Sequence, residues 1–340
     1  MKSIRLAAAL LVAACLSPDC LAQAQPANVS GNAPLRTLDT VVVSGKVSGP
    51  GLWRVYRDED HSLWIMATLS PLPKDMEWDS ASVRDLVADS QEVLWAPGYS
   101  VDVDANLFQM ALLGYRMYRA KDNPDGATLR DVLDPALYAR WVAAKSRYLP
   151  GDRSIERKRP VVAADALLEA AIRKARLSRD PVVYPALEET IKSNGVRSNF
   201  PQFEVKVSSD AAKAALADVR RIRLNDAQCL AATLDAIERD IPRMITNANA
   251  WATGATDRID FERLATRTRL CADALTDADF AKKYGLPNIN ASIAGLWLKE
   301  AEAALRDNET TVAFVPMENL AGPDSYLAAL RAKGYSIEAP

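Results

Sequence analysis

The segment LWRVYRDEDHSLWIMATLS, residues 52–70, consists of two apolar runs on either side of the acidic residues Asp58, Glu59 and Asp60. Aromatic and branched residues favour extended strands, and a short acidic stretch between two such runs favours a turn. The segment therefore predicts two adjacent strands at the start of the folded domain. Residues 25–50 are rich in Gln, Ala, Pro, Ser and Gly, and we expect them to form a flexible leader.

Strands and helices alternate near both ends of the chain. A short run with helical spacing separates the first strands from EVLW at residues 92–95, which predicts a buried strand. Residues 310–315 predict another buried strand, residues 323–333 a helix, and residues 335–338 a last strand. We therefore expect an α/β fold for residues 51–340, in which β-α units from the N- and C-terminal parts form a shared sheet.

The region between these two parts is expected to be a large helical insert, at about residues 105–306. Asp134 and Asp180 each precede a proline, and both fit the N-cap position of a helix. Pro242 interrupts a long apolar stripe. It is expected to kink the helix there, because proline lacks the amide proton that continues the hydrogen-bond ladder.

Residues 1–24 have the features of a secretory signal peptide. Lys2 and Arg5 precede an apolar run that is too short to span a bilayer, and the small residues up to Ala24 suit cleavage after it. In an alternative interpretation, LVAAC is a lipobox and Cys15 carries a lipid anchor. Both interpretations predict a periplasmic or envelope-associated protein, and no later apolar run is long enough for a transmembrane helix.

The charges of the chain are nearly balanced. It has 42 basic and 44 acidic residues, which give a formal net charge of -2 and an isoelectric point of about 5.7. A chain of this composition has no overall basic field to attract a nucleic acid. We therefore expect no nucleic-acid partner.

Two cysteines remain after cleavage at Ala24, namely Cys229 and Cys271. Their spacing excludes a CxxC motif. In an oxidising compartment, a pair of this kind is more often a structural disulfide than a metal or redox site. The sequence therefore predicts a disulfide between them.

Five segments form a recognisable set: LWRV (52–55), LWIMATLSPLP (63–73), VLW (93–95), AWATG (250–254) and AFVPMENLAGPD (313–324). Together they resemble the TraB/GumN family, and the similarity covers roughly residues 50–340. In that family two strands end in Gly-x-x-His motifs and a third ends in glutamate. The family includes proteins regarded as metal-dependent peptidases, so the resemblance implies a divalent metal held by these residues.

The residues implied as metal ligands are replaced in this chain. Ser70 and Asn319 stand in place of the two histidines, and Trp95 stands in place of the glutamate. A hydroxyl, a neutral amide and an indole are poor substitutes for the imidazole and carboxylate ligands of a zinc-like ion. We therefore expect no bound metal or other cofactor and no catalytic residues at this degenerate site. Glu318 is the remaining polar candidate in the cleft.

The function we expect is that of an exported envelope protein that binds or scaffolds a peptide or protein partner without catalysis. Two alternatives stay open. One is a metal-dependent peptidase or other hydrolase with an atypical site, and the other is an accessory role in the assembly of envelope polysaccharide. His61 is the only histidine of the chain, and its place in a predicted turn favours a solvated residue over a ligand or general base.

Overall fold

The computed structural model describes residues 49–222, 224–260, 266–272, 283 and 288–340. The predicted signal peptide, the lipobox and nearly all of the predicted leader lie outside the described residues. Ten strands occur in the described part: β1 (Leu52–Tyr56), β2 (Ser62–Thr68), β3 (Leu72–Pro73), β4 (Glu92–Trp95), β5 (Gly98–Asp104), β6 (Leu177–Ser178), β7 (Arg197–Asn199), β8 (Gln202–Ser208), β9 (Thr310–Pro316) and β10 (Ser336–Glu338).

Helices surround these strands. The α-helices are α1 (Ala81–Ala88), α2 (Leu107–Ala120), α3 (Leu129–Val132), α4 (Pro135–Tyr148), α5 (Pro160–Lys174), α6 (Val183–Ser193), α7 (Ser209–Val219), α8 (Ala227–Asp235), α9 (Met244–Ala252), α10 (Ile289–Asp307) and α11 (Tyr326–Ala332). Residues 266–272 are also helical. None of the helices in the described part is long and apolar enough to cross a membrane.

One six-stranded sheet, in the order β10-β1-β2-β9-β4-β7, joins the two ends of the chain and confirms the predicted α/β fold. β2, β9, β4 and β7 run parallel to one another, whereas β1 is antiparallel to β2 and β10. Ser62 pairs with Thr310 and Thr68 pairs with Pro316, so β2 and β9 end together. Trp95 at the end of β4 pairs with Phe314, which brings a third strand end to the same edge.

The central strands are buried on both faces, as is usual for parallel strands. Leu63 and Ile65 in β2 and Val312 and Ala313 in β9 are completely inaccessible to solvent. Helix α10 packs on β2, β4 and β9, and its Trp297 is also completely buried. The core therefore depends on residues that lie about 250 positions apart in the sequence, between β2 and β9.

Besides β6, which pairs with β3, two more strands that the sequence does not predict occur in the insert. β7 lies inside it and joins the main sheet beside β4, and β8 forms a separate parallel pair with β5. The sequence QFEVKVS of β8 alternates between polar and apolar residues, which is the period of a strand. The residues of β7, RSN, have no such pattern, and their extended form depends on pairing with β4.

The predicted helix boundaries in the insert are partly confirmed. Asp134 caps α4, and Pro242 lies in a 3-10 turn that, with a preceding π turn, separates α8 from α9. The missing amide proton of the proline explains this break. Asp180 is not an N-cap, because α6 begins only at Val183 and the Asp180 amide donates instead to the Ser178 hydroxyl.

Cys229 and Cys271 form the predicted disulfide. It joins α8 to the helical residues 266–272, and the two cysteines are 42 positions apart in the sequence. Closing a loop of this length restricts the unfolded chain and typically stabilises a fold by about 2–4 kcal/mol. The crosslink therefore fixes a segment that also lines the site described below.

A buried polar cluster connects β4 to β7 and to Asn308, the residue that follows α10. Glu92 is only 4% exposed and accepts hydrogen bonds from Arg197 at 2.6 Å, Asn199 at 2.9 Å and Asn308 at 2.8 Å. Burial by itself raises the pKa of the Glu92 carboxyl. The three donors outweigh this effect and hold the pKa below its ordinary value of 4.5.

We expect the Glu92→Gln variant to lose about 1–3 kcal/mol of unfolding free energy at pH 7, because the ionised carboxylate is the better acceptor for three donors. A depressed folded pKa gives stability that is present above the unfolded pKa and is lost as the pH falls through the folded pKa. Urea unfolding at pH 7 and at about pH 3 should therefore show a gap between wild type and variant that narrows in acid.

The matched control is Glu188→Gln, since Glu188 is half-exposed and its ion pair is with Lys192 on the same helix. It should change the unfolding free energy by less than about 0.5 kcal/mol. A gap between wild type and Glu92→Gln that stays constant across this pH range would contradict the assignment.

Candidate functional site

A small cavity lies beside the ends of β2 and β9, and we call it the strand-end cavity. Its volume is about 50 Å³, which is enough for a few water molecules. Its lining consists of Leu69, Ser70, Pro71, Leu168, Ile172, Arg179, Ala236, Asp240, Ile241, Met244, Arg267, Thr268 and Glu318. Apolar walls therefore enclose a group of charged side chains.

The structure brings together two of the four residues predicted for this site. Ser70 follows the end of β2 and lines the strand-end cavity, and Glu318, in the turn after β9, lines it too. The shared edge of β2 and β9 explains their proximity, because both residues follow strands that end in register. Trp95 and Asn319 are not among the residues that line this cavity.

Trp95 is held in an aromatic cluster instead. Its ring lies 4.9 Å from that of Phe314, 5.4 Å from that of Phe200 and 5.3 Å from that of Tyr184. Its indole nitrogen donates a hydrogen bond of 2.9 Å to the Ser198 hydroxyl. The position where the family has a glutamate is therefore filled by an apolar side chain whose one polar atom already has a partner.

Asn319 is directed toward α11. Its amide nitrogen lies 3.4 Å from the hydroxyl of Tyr326, which is a long hydrogen bond. Tyr326 is 5% exposed and stacks on Trp297 with the ring centres 4.3 Å apart, and burial raises the pKa of its hydroxyl to about 12. Asn319 thus contacts a neutral phenol in the core and does not join Ser70.

The AWATG segment makes direct contact with the end of β2. Trp251, which is 1% exposed, donates a hydrogen bond of 2.7 Å from its indole nitrogen to the carbonyl oxygen of Ala67. Ala67 lies three residues before Ser70, and the family resemblance implies a glycine at its position. The ring of Trp251 also lies 5.6 Å from that of Trp78. These contacts fix the strand end against α9.

Charged residues that sequence reasoning missed complete the strand-end cavity. Burial and the neighbouring Arg179 lower the pKa of the Arg267 guanidinium, whereas Glu318, Asp165 and Asp240 act in the opposite direction. Arg267 therefore lies between one guanidinium and three carboxyl groups. These five residues come from five separate segments and form no motif, so no pattern in the sequence indicates their association.

Asp165 and Arg179 show how these charges are arranged. Burial, followed by the nearby Glu169 carboxylate, raises the pKa of Asp165 above its ordinary value, and Arg179 and Arg267 lower it in part. Arg179 donates a hydrogen bond of 2.5 Å to Glu169. Acidic and basic side chains therefore lie close together at the cavity, and they offset only part of the effect of burial on the pKa values of Asp165 and Arg267.

The donors at this site do not fit the divalent metal that the family resemblance implies. In the part of the chain that the structure describes, no group of three or more His, Cys, Asp or Glu side chains is placed to hold a metal ion. Two guanidinium groups line the cavity, and their charge opposes a cation. His61 cannot assist, because it precedes β2 at the opposite end of that strand, where its ring bonds to Asp58.

The sequence model of the TraB/PrgY/gumN family matches residues 51–339. The match spans the whole sheet and the insert, and the chain therefore belongs to the TraB/PrgY/gumN family. Neither the curated proteins nor the solved structures include a significant match to this chain.

We expect Arg267→Met to lower the unfolding free energy at pH 7 by about 1–2 kcal/mol, because it removes a cation that lowers the pKa of the Asp165 carboxyl and that lines the cavity beside Asp240 and Glu318. Carboxyl groups whose folded pKa is raised penalise the ionised folded state, and this penalty disappears as the pH falls below the folded pKa. The loss measured by urea unfolding should therefore be smaller at pH 5 than at pH 7.

Arg331→Met provides the control, since Arg331 is an exposed arginine on α11. It should leave the unfolding free energy within about 0.5 kcal/mol of wild type. If Arg267→Met behaves like this control at both pH values, Arg267 does not compensate the carboxylates of the cavity.

Proposed function

We propose that this chain is an exported, non-catalytic member of the TraB/PrgY/gumN family that binds or scaffolds a peptide or protein partner in the cell envelope. The observation that carries the proposal is the dispersal of the three replaced ligand positions. Ser70 lines the strand-end cavity, Trp95 packs among aromatic rings, and Asn319 contacts Tyr326. A metal site needs about three ligands that converge on one point.

The size of the strand-end cavity also supports binding without catalysis. Pockets that hold small-molecule ligands usually measure roughly 300–1,000 Å³, whereas this cavity measures about 50 Å³. A hydrolase also needs an open position for a nucleophilic water beside the scissile bond. In the strand-end cavity, Arg179, Arg267, Asp240 and Glu318 line the little space that is present. A partner would therefore contact the outer surface of the domain.

Export is supported by the N-terminal pattern and by the disulfide. A charged start, a short apolar run and small residues at Ala24 are typical of a signal peptide. The Cys229–Cys271 disulfide suits an oxidising compartment, because cytosolic proteins rarely keep structural disulfides. Mass spectrometry of the mature N-terminus distinguishes release at Gln25 from lipidation at Cys15. An unprocessed chain retained in the cytoplasm would contradict export.

Elemental analysis of the purified mature protein should find far less than one transition-metal ion per chain. The same preparation should not hydrolyse peptides, because none of the described residues form a group of three or more His, Cys, Asp or Glu side chains that could hold a water-activating metal ion. Metal-dependent cleavage that is lost in Ser70→Ala or Asn319→Ala, but is kept in the exposed control Ser193→Ala, would establish the alternative of an atypical peptidase. One tightly held transition ion per chain would also overturn the proposal.

A further inference from the structure

A second, larger cavity lies in the helical insert and shares no residue with the strand-end cavity. Its volume is about 800 Å³, and it opens between the end of α2, the loop at 151–158 and the end of α7. Six basic side chains line it: Arg119, Arg153, Arg157, Lys158, Arg220 and Arg221. Asp122 and Asp125 are its two acidic residues. We call it the basic cavity.

Most of the positive charge in the basic cavity is not neutralised by described residues. Lys158 forms an ion pair of 2.6 Å with Asp122, and Arg119 lies 3.9 Å from the same carboxylate. Four cations of the cavity form no ion pair with any residue in the described ranges: Arg153, Arg157, Arg220 and Arg221. Six cations against two carboxylates give the lining a formal charge of +4, although the whole chain carries -2.

Buried hydrogen bonds hold the walls of the basic cavity in place. Arg159, which is 3% exposed, donates to the carbonyl oxygens of Ala120 at 2.9 Å and Ile222 at 3.2 Å. It therefore ties the end of α2 to the residues after α7. Asn123, which is 6% exposed, donates from its side chain to the Lys158 carbonyl at 2.8 Å. The cationic side chains thus extend from a fixed backbone.

The preference of helix carboxyl ends for basic residues does not by itself explain the six basic side chains of the basic cavity. Basic residues are favoured at the carboxyl ends of helices, where the backbone carries a partial charge of roughly -0.5. The ends of α2 and α7 together supply about one negative charge, which is well below the formal charge of the lining. Exposed arginines that share one concave surface repel each other, and such a surface concentrates the field that attracts an anion.

We propose that the basic cavity binds a phosphate-bearing anion with at least two negative charges. Guanidinium groups bind phosphate oxygens in pairs, with shorter and stronger hydrogen bonds than neutral donors make. The volume of the basic cavity is in the usual range for small-molecule sites and admits a phosphate ester or a diphosphate. The phosphate can belong to a soluble ester or to the headgroup of a lipid.

Isothermal titration of the mature full-length chain with inorganic pyrophosphate, at low ionic strength, tests the soluble source. We expect saturable binding that weakens at least tenfold in Arg220→Gln/Arg221→Gln. The control Arg84→Gln/Arg331→Gln removes the same charge from exposed helix positions outside the cavity and should change the affinity less than twofold. Raising the salt concentration should weaken the binding, since exposed charges are screened.

A second pair, Arg153→Gln/Arg157→Gln, tests another part of the cavity wall. These residues belong to the loop at 151–158, whereas Arg220 and Arg221 follow the end of α7. It should weaken pyrophosphate binding to a similar degree. Thermal unfolding of each variant identifies any loss of fold. The two pairs lie on separate segments. If one pair of substitutions disrupts its segment, pyrophosphate binding by the other variant still tests the proposal.

Sedimentation with vesicles tests the lipid source. Binding to phosphatidylglycerol vesicles but not to phosphatidylcholine vesicles, lost in both cavity pairs, would assign the phosphate to a headgroup. Binding of pyrophosphate alone would assign it to a soluble ester. The proposal is overturned if neither probe binds, or if the cavity pairs and the control pair weaken binding equally.

Discussion

The parallel pairing of β2 with β9 is the contact on which the rest of the structure depends. It unites a strand near residue 65 with one near residue 313, and both are buried at their centres. The register of this pair makes the two strands end together, so Ser70 and Glu318 reach the same cavity. Residues of the helical insert line the same cavity, among them Leu168 and Ile172 of α5 and Met244 of α9.

At this edge, the chain differs from the motifs that the family resemblance implies. Where the family implies histidines and a glutamate, the chain has a serine, an asparagine that contacts Tyr326, and a tryptophan packed among aromatic rings. Arg179 forms an ion pair with Glu169, Arg267 lines the cavity with Asp240 and Glu318, and the remaining space is small. A buried charge is costly unless it is paired, which explains why acidic and basic side chains occur together at this cavity.

An element can be predicted from the sequence when its own residues show an apolar run, a cysteine pair or a motif. The strand at residues 92–95 and the shared sheet follow from apolar runs, the disulfide follows from two remaining cysteines, and the replaced positions follow from motifs at strand ends. β7 is not predictable in this way, because RSN has no strand pattern and is extended only through pairing with β4.

Neither cavity could be predicted from the sequence, for the same physical reason. The charges around Arg267 come from separate helices and turns, and the arginines of the basic cavity come from three distant segments. In the linear sequence each of these residues resembles a solvated surface charge. Only the packing of the insert shows which of these charged side chains form ion pairs with other residues in the described ranges.

The central claim is that the strand-end edge no longer holds a cation. Anomalous diffraction from crystals soaked in zinc ions tests it most directly, because it locates a metal independently of activity. We predict no anomalous peak between Ser70, Glu318 and Asn319. A peak at full occupancy there, ligated by side chains of this chain, would contradict the account.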